Sequence, residues 1–262
     1  MKPLFIKTIA LAALISLACT TKVSEWVLLN AVPHEYTLVY FHKNEITEKI
    51  KLQNTALTND ISQGNIKFRE VVKEDAARPY YGLYYENRLF SRYDDPSLVK
   101  NLITSPLREQ IAAELMKGKL CVLLYLGTGD VQKDDKGIAG VKKAVSASPF
   151  GEIIPVIELN RSSPDEKHFI TMLLNVEADL KDLNEPMLFG IFGRFKALEP
   201  LVAGGITEEN INYMLEFLTA DCSCLIKDDL PGTDILCLNK WDSPATAMVN
   251  AIIDANPTLI HQ

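Results

Sequence analysis

The chain has 262 residues, 47% of them hydrophobic and 23% charged, a globular composition with enough length for one large core or two modest ones. Its 34 acidic side chains outnumber 27 basic ones and leave a net charge of −7. That balance excludes the clustered cationic surface that nucleic acid demands, and a polybasic grip on anionic lipid.

Met1–Lys7 carries two lysines and no acid, and the uncharged run Thr8–Ala18 is dominated by Ala, Leu and Ile. A positive start and an apolar stretch of this length read as a signal peptide, too short to span a bilayer as a helix. The run ends Ser16-Leu17-Ala18-Cys19. Leu17-Ala18-Cys19 resembles a bacterial lipobox, in which the cysteine is diacylated and becomes the new N-terminus. The resemblance implies that residues 1–18 are removed and that the body is exported to the cell envelope, held at a membrane by the lipid on Cys19. Ordinary signal-peptidase cleavage is the alternative. Either cut takes Lys2 and Lys7 away and leaves −9.

Residues 19–35 read as a tether, although Trp26-Val27-Leu28-Leu29 could add a strand or dock on the body. Tyr36–His42 is a compact β-prone run, and Glu45–Ile61 spaces Ile46, Ile50, Leu57 and Ile61 as an amphipathic helix. Ile66–Val72 alternates as a half-buried strand. After Pro79, Tyr80–Tyr85 and Leu89–Tyr93 bracket a turn and predict a hairpin. Asp94-Asp95-Pro96 opens a helix with Leu98, Leu102, Ile111 and Leu115 on its buried face, ended by Gly118.

Leu120–Leu126 is almost continuously apolar, as expected of a strand covered on both faces. Gly127-Thr128-Gly129-Asp130 leads into a helix over Val131–Ala147, and Ile153–Leu159 is a strand that Pro155 demotes towards an edge. Ser163-Pro164-Asp165-Glu166 predicts a helix start with Ser163 as cap. After Pro186, Met187–Phe192 and Phe195–Leu198 form a second hairpin, and Thr207-Glu208-Glu209 caps a helix carrying Ile211, Met214, Leu215 and Leu218. Thr233–Leu238 and Ser243–Asp254 add one more strand and helix.

Both halves thus run strand, helix, strand, then proline, hairpin and helix. That order resembles the thioredoxin fold, in which a proline, usually cis, precedes the third strand; Pro79 and Pro186 stand in that place. The resemblance implies an α/β protein of two thioredoxin-like units in tandem, residues 36–117 and 118–262, with mixed sheets and flanking helices. The first unit lacks the fold's second helix. A single mixed sheet is the rival architecture.

The fold's usual chemistry is missing. Thioredoxin-like enzymes place Cys-x-x-Cys where the first strand meets its helix, so that the helix N-terminus lowers the thiol pKa. Here those positions hold His42-Lys43-Asn44-Glu45 and Gly127-Thr128-Gly129-Asp130, without sulfur. Gly127-Thr128-Gly129 is either an anion nest or, the favoured reading, a tight turn capped by Asp130. His34, His42, His168 and His261 are solitary, so no histidine metal site is expected, and Asp134-Asp135 and Asp228-Asp229 read as solvated acids. No cofactor motif is present.

Cys121 lies inside an apolar strand and reads as a small hydrophobe. Cys222, Cys224 and Cys237 cluster near the end. In an oxidising compartment a bridge from Cys222 or Cys224 to Cys237 is the first expectation, and a redox-active pair or soft-metal site the second. Tyr81 and Tyr85 on the aromatic hairpin, and Arg194 beside two glycines, are candidate binding-surface residues. The functional expectation is a lipid-anchored, non-catalytic binding or accessory module whose partner is a protein or small ligand near the proline-preceded hairpins, with a protein of a membrane complex among the expected partners; the alternative is thiol or soft-metal chemistry on the cysteine cluster.

Overall fold

The computed structural model describes residues 21–99, 102, 104–151, 153–222 and 230–237. The expected lipidation at Cys19, Cys224, Asp228-Asp229, His261 and the final helix lie outside these residues. The segment read as a tether holds helix α1 (Val23–Asn30), so the docking alternative is the one realised. Val23 and Val27 are buried in the second unit; Val23 N donates to Ala220 O (2.9 Å), and Lys22 pairs with Asp221 (2.9 Å).

In the first unit β1 (Tyr36–His42) is followed by α2 (Glu48–Ile61), β2 (Ile66–Val72), β3 (Tyr80–Tyr85), β4 (Arg88–Tyr93) and α3 (Pro106–Met116). Thr47 caps α2, its Oγ1 accepting from Ile50 N. The β3–β4 turn places Glu86 and Asn87 at φ 47° and 66°, the left-handed pair of a tight hairpin turn. The second unit repeats the order with β5 (Cys121–Leu126), α4 (Val131–Ala147), β6 (Val156–Leu159), α5 (Lys167–Leu173), β7 (Met187–Phe192), β8 (Lys196–Ala197), β9 (Leu201–Val202) and α6 (Glu208–Thr219). A short β10 (Thr233–Asp234) pairs antiparallel with β8.

Two sheets form, not one. In the first, β2 lies parallel to β1, β3 antiparallel on the other side of β1, and β4 beside β3. In the second, β6, β5, β7 and β8 repeat that order and those directions, with β10 added outside. Order 2-1-3-4 with the third strand antiparallel to the first is the thioredoxin arrangement, so the chain carries two thioredoxin-like units in tandem.

Burial separates the two units. Both faces of the second sheet are covered: Leu123, Tyr125, Leu188 and Phe192 pack under α1, α4 and α6, while Val122, Leu124, Phe189 and Ile191 meet the core shared with the first unit. The first sheet packs one face into that shared core, with Tyr36, Leu38, Tyr81, Leu83 and Tyr85 alongside α2, α3 and α5, while its other face is half-buried and encloses Val39. No helix links β2 to β3, so among the described residues nothing equivalent to α5 is supplied for its outer face.

Two predicted helix starts move. The helix expected from Pro96 to Gly118 divides into a 3-10 turn at Pro96–Val99, with Leu98 exposed, and α3, which begins after Ser105. Pro106 explains the break, because a residue before proline is pushed out of helical geometry, and Ser105 is extended at φ −155°, ψ 158°. Conversely, Ser163 does not cap a helix at Pro164; α5 starts at Lys167. The Glu166 carboxylate faces the other unit, accepting from Leu107 N (2.8 Å) and Ser105 Oγ (2.5 Å), and so caps α3. β2 is half-buried as expected only over its first residues, where Ile66 is buried and Phe68 packs against the core, and it is an exposed edge strand beyond Phe68.

Candidate functional site

The strand-to-helix turns come first, since they occupy the fold's usual reaction corner. In the first unit His42 is buried, its Nδ1 is 2.8 Å from Asn44 O, and its ring stacks on Tyr40 at 5.6 Å between centroids. It is a packed strand-end residue. In the second unit Asp130 caps α4, accepting from Lys133 N (3.1 Å), as expected. The nest formed by Gly127-Thr128-Gly129 is occupied from within. Asp134, expected to be solvated, reaches back so that its carboxylate accepts from Thr128 N (2.8 Å), Thr128 Oγ1 (3.0 Å) and Gly129 N (2.8 Å). A carboxylate satisfying those amides leaves them nothing to offer an external anion.

Pro79 and Pro186 immediately precede β3 and β7, and no cis peptide occurs among the described residues. Both prolines keep the expected place with trans bonds.

Cys222 and Cys237 do not converge. Cys222 is buried among the residues of α1, α4 and α6, whereas Cys237 is buried on the opposite side of the second sheet in the shared core. Cys237 carries a free thiol, so among the described residues the expected bridge to it is absent. Burial pushes that thiol up to about 12 against the opposing pull of Arg108, and burial also pushes Cys121 up. Thiols held neutral in this way are poor nucleophiles and poor metal ligands. Among the described residues no three His, Cys, Asp or Glu side chains come together as a metal site.

Tyr81 and Tyr85, expected at the surface, are 1% and 6% exposed. They share the parity of Leu83 and point into the core. Tyr81 Oη donates to Asn54 Oδ1 (2.8 Å), and burial drives its hydroxyl up to about 12. Tyr85 Oη lies 3.3 Å from His34 Nδ1. Arg194 Nε donates to Leu28 O (2.7 Å), placing a cation at the C-terminal end of α1.

The exposed rings belong to the other parity. Phe41, Tyr80 and Tyr84 lie half-buried on the open outer face of the first sheet, where Phe41 pairs in register with Tyr80. The Phe41 and Tyr80 rings stack at 4.9 Å, and Phe41 meets Tyr84 edge-on at 6.2 Å. Gly82 is the reason these side chains can close over the strand between them. A Cβ there would come within 2.9 Å of the Tyr84 ring, 3.3 Å of the Phe41 ring and 3.4 Å of Leu89. Leu89, 51% exposed, extends the platform.

Cations frame it. The Arg92 guanidinium sits 3.9 Å from the Tyr80 ring centre and Lys73 Nζ 5.9 Å from that of Phe41. Lys67 and Arg69 project from β2 with the same parity as Phe41. Exposed acids neutralise part of this charge: Glu35 pairs with Lys67, Asp75 with Lys73 (3.5 Å) and Asp94 with Arg92 (3.0 Å). Such exposed pairs are individually weak and exchangeable.

Sequence reasoning missed the buried polar junction between the units. Arg108 is fully buried; it donates to Ser105 Oγ (3.0 Å), Leu102 O (2.8 Å) and Leu236 O (2.9 Å). Burial pulls its guanidinium down to about 10, opposed by Cys237 and Glu166. Beside it Lys196 and Asp234 form a buried ion pair (3.1 Å), and Tyr36 Oη donates to Asp234 O (3.1 Å). This junction joins the units; no part of it opens on the aromatic face.

No protein-family model matches the chain, and no curated protein matches it. Among solved structures it is similar to the first two thioredoxin domains of Naumovozyma dairenensis Eps1p, at 13% identity and a TM-score of 0.30, with 77% of this chain and 96% of that chain covered. Strand order and direction, described above, define the class: a tandem thioredoxin-like protein whose reaction corners hold no sulfur.

Proposed function

We propose that this chain is an exported binding module without a reaction of its own, which holds an acidic protein segment on the outer face of its first sheet. The observation that carries the reading is the half-buried cluster of Phe41, Tyr80 and Tyr84 closed over Gly82, on a sheet face that no helix of the unit covers among the described residues. Aromatic rings supply contact area at little conformational cost, and the surrounding Lys67, Arg69, Lys73 and Arg92 select against a cationic partner. The first-strand turns support the same reading, because one is packed with histidine and the other is closed by Asp134. The site adjoins the hairpin that follows Pro79.

Selection from a displayed library of twelve-residue peptides tests it. Enriched peptides carry Asp or Glu alternating with aromatic or aliphatic residues, and their binding falls at least tenfold in the Tyr80→Ser/Tyr84→Ser variant. Enrichment of basic peptides, or binding indifferent to that double substitution, overturns the reading. The anchor is a separate part of the proposal. The intact mass of protein extracted from membranes is expected to show an acylated Cys19 as the first residue; an unmodified N-terminus there removes the anchor and leaves the binding face untouched.

A further inference from the structure

A groove of about 490 Å³ runs along the second unit, between α4 and the first half of α6. Val141 and Ile211 form its floor, and Pro186 and Ile206 wall one side. The α4 wall is cut down to backbone by Gly137 and Gly140. Packing beneath the helix requires the first of these, since a Cβ on Gly137 would collide with Tyr125 Oη. It does not require the second: a Cβ on Gly140 would meet nothing within 4 Å. A mid-helix glycine costs about 1 kcal/mol relative to alanine, so Gly140 keeps the groove open at a cost that no contact beneath it demands.

The rim is cationic. Lys133 Nζ is held by Glu185 Oε2 (2.5 Å). Lys136 and Lys143 stand on either side of Gly140 along α4, and among the described residues neither enters an ion pair. Glu208 is the one other carboxylate lining the groove.

We infer that this groove binds an organic anion with an apolar body. Its chain or ring lies across Gly140 against Val141, Ile211 and Pro186, and Lys136 and Lys143 answer its carboxylate or phosphate. The site is independent of the aromatic face, which belongs to the other unit. Two sources supply this chemistry, a free amphiphilic acid and an anionic membrane lipid.

The test titrates the purified chain with decanoate, with decyltrimethylammonium and with inorganic phosphate, following amide NMR shifts. Decanoate is expected to bind, with shifts confined to 133–144 and 203–211; the cationic amphiphile and bare phosphate are not. Lys136→Glu/Lys143→Glu should weaken decanoate at least tenfold. Gly140→Leu fills the groove from a position with free space, and should abolish binding while leaving the melting temperature unchanged or raised. Sedimentation with anionic phospholipid vesicles separates the sources. Co-sedimentation lost in Gly140→Leu assigns a membrane lipid, and decanoate binding without co-sedimentation assigns a free acid. Equal binding of the cationic amphiphile, wild-type binding by Gly140→Leu, or binding of neither decanoate nor vesicles overturns the inference.

Discussion

Replacing Arg108 by methionine tests whether the two units are joined by charge as well as by apolar contact. Methionine keeps the length of the stem but removes donors to Leu102 O, Leu236 O and Ser105 Oγ. Two carbonyls deep in the junction lose their partner, and a buried acceptor left unsatisfied costs roughly 1–3 kcal/mol. Glu166, itself 5% exposed, loses the cation beside its carboxylate, and stripping one member from a buried ionic cluster costs about 3–5 kcal/mol. These penalties overlap, so about 3–5 kcal/mol is the expected total. For a chain of this size that corresponds to roughly 10 °C in melting temperature. Urea titration of the purified chain, followed by circular dichroism and tryptophan fluorescence, reads the change at constant m-value. Glu166→Gln should be less costly, and the double variant should lose less than the two singles together, with a coupling of about 1–3 kcal/mol. A loss below about 1 kcal/mol for Arg108→Met, or strict additivity in the double variant, would refute the argument.

Two glycines one turn apart on α4 should respond with opposite sign. Gly137→Ala drives a methyl into the Tyr125 hydroxyl and is expected to destabilise by about 1–3 kcal/mol, whereas Gly140→Ala meets nothing and should stabilise by about 0.5–1 kcal/mol, both read by thermal melting. Tyr125 Oη is buried with no hydrogen-bond partner among the described residues, so Tyr125→Phe is expected to be neutral or stabilising by about 1 kcal/mol; a clear loss would mean that the hydroxyl has a partner. His168 packs edge-on against Tyr93 across the junction, and burial, then Arg108, lower its pKa. Folding therefore favours the neutral ring, the unfolded chain binds more protons, and stability falls as the pH drops below the ordinary histidine range. His168→Gln should flatten that part of the stability profile, and an unchanged profile would assign the acid sensitivity elsewhere.

The strands were legible because their signals are local. Apolar runs such as Cys121–Leu126 and Met187–Phe192 are short and bounded by glycine or proline, which favours strands over helices, and the prolines before β3 and β7 mark the units. The face of the aromatic hairpin was legible too, though misassigned. In Tyr80-Tyr81-Gly82-Leu83-Tyr84-Tyr85 the tyrosines are symmetric, and only the parity of Leu83 tells which pair goes inside. The junction was not legible. A charged residue on an amphipathic helix reads as surface, and Arg108 is buried because a second unit closes over it. Glu166 looked like part of its own helix start for the same reason, its true partner being 59 residues earlier in the chain. Cys222 and Cys237 stand close in sequence, but a whole sheet separates them, which spacing alone does not reveal.

The docking of α1 sets how the body stands if Cys19 is acylated. Thr21 O accepts from Cys222 N (2.7 Å), and Lys22 is bridged to Asp221, so the chain is fastened to the second unit from Thr21 onward. Only Thr20 separates that fastening from Cys19, a span of at most about 7 Å. A lipoprotein on a long leash samples a wide volume above its membrane. This one would be moored at the hull: the end of the second unit where α1 begins would ride against the lipid headgroups, and any partner would have to come to it within that layer.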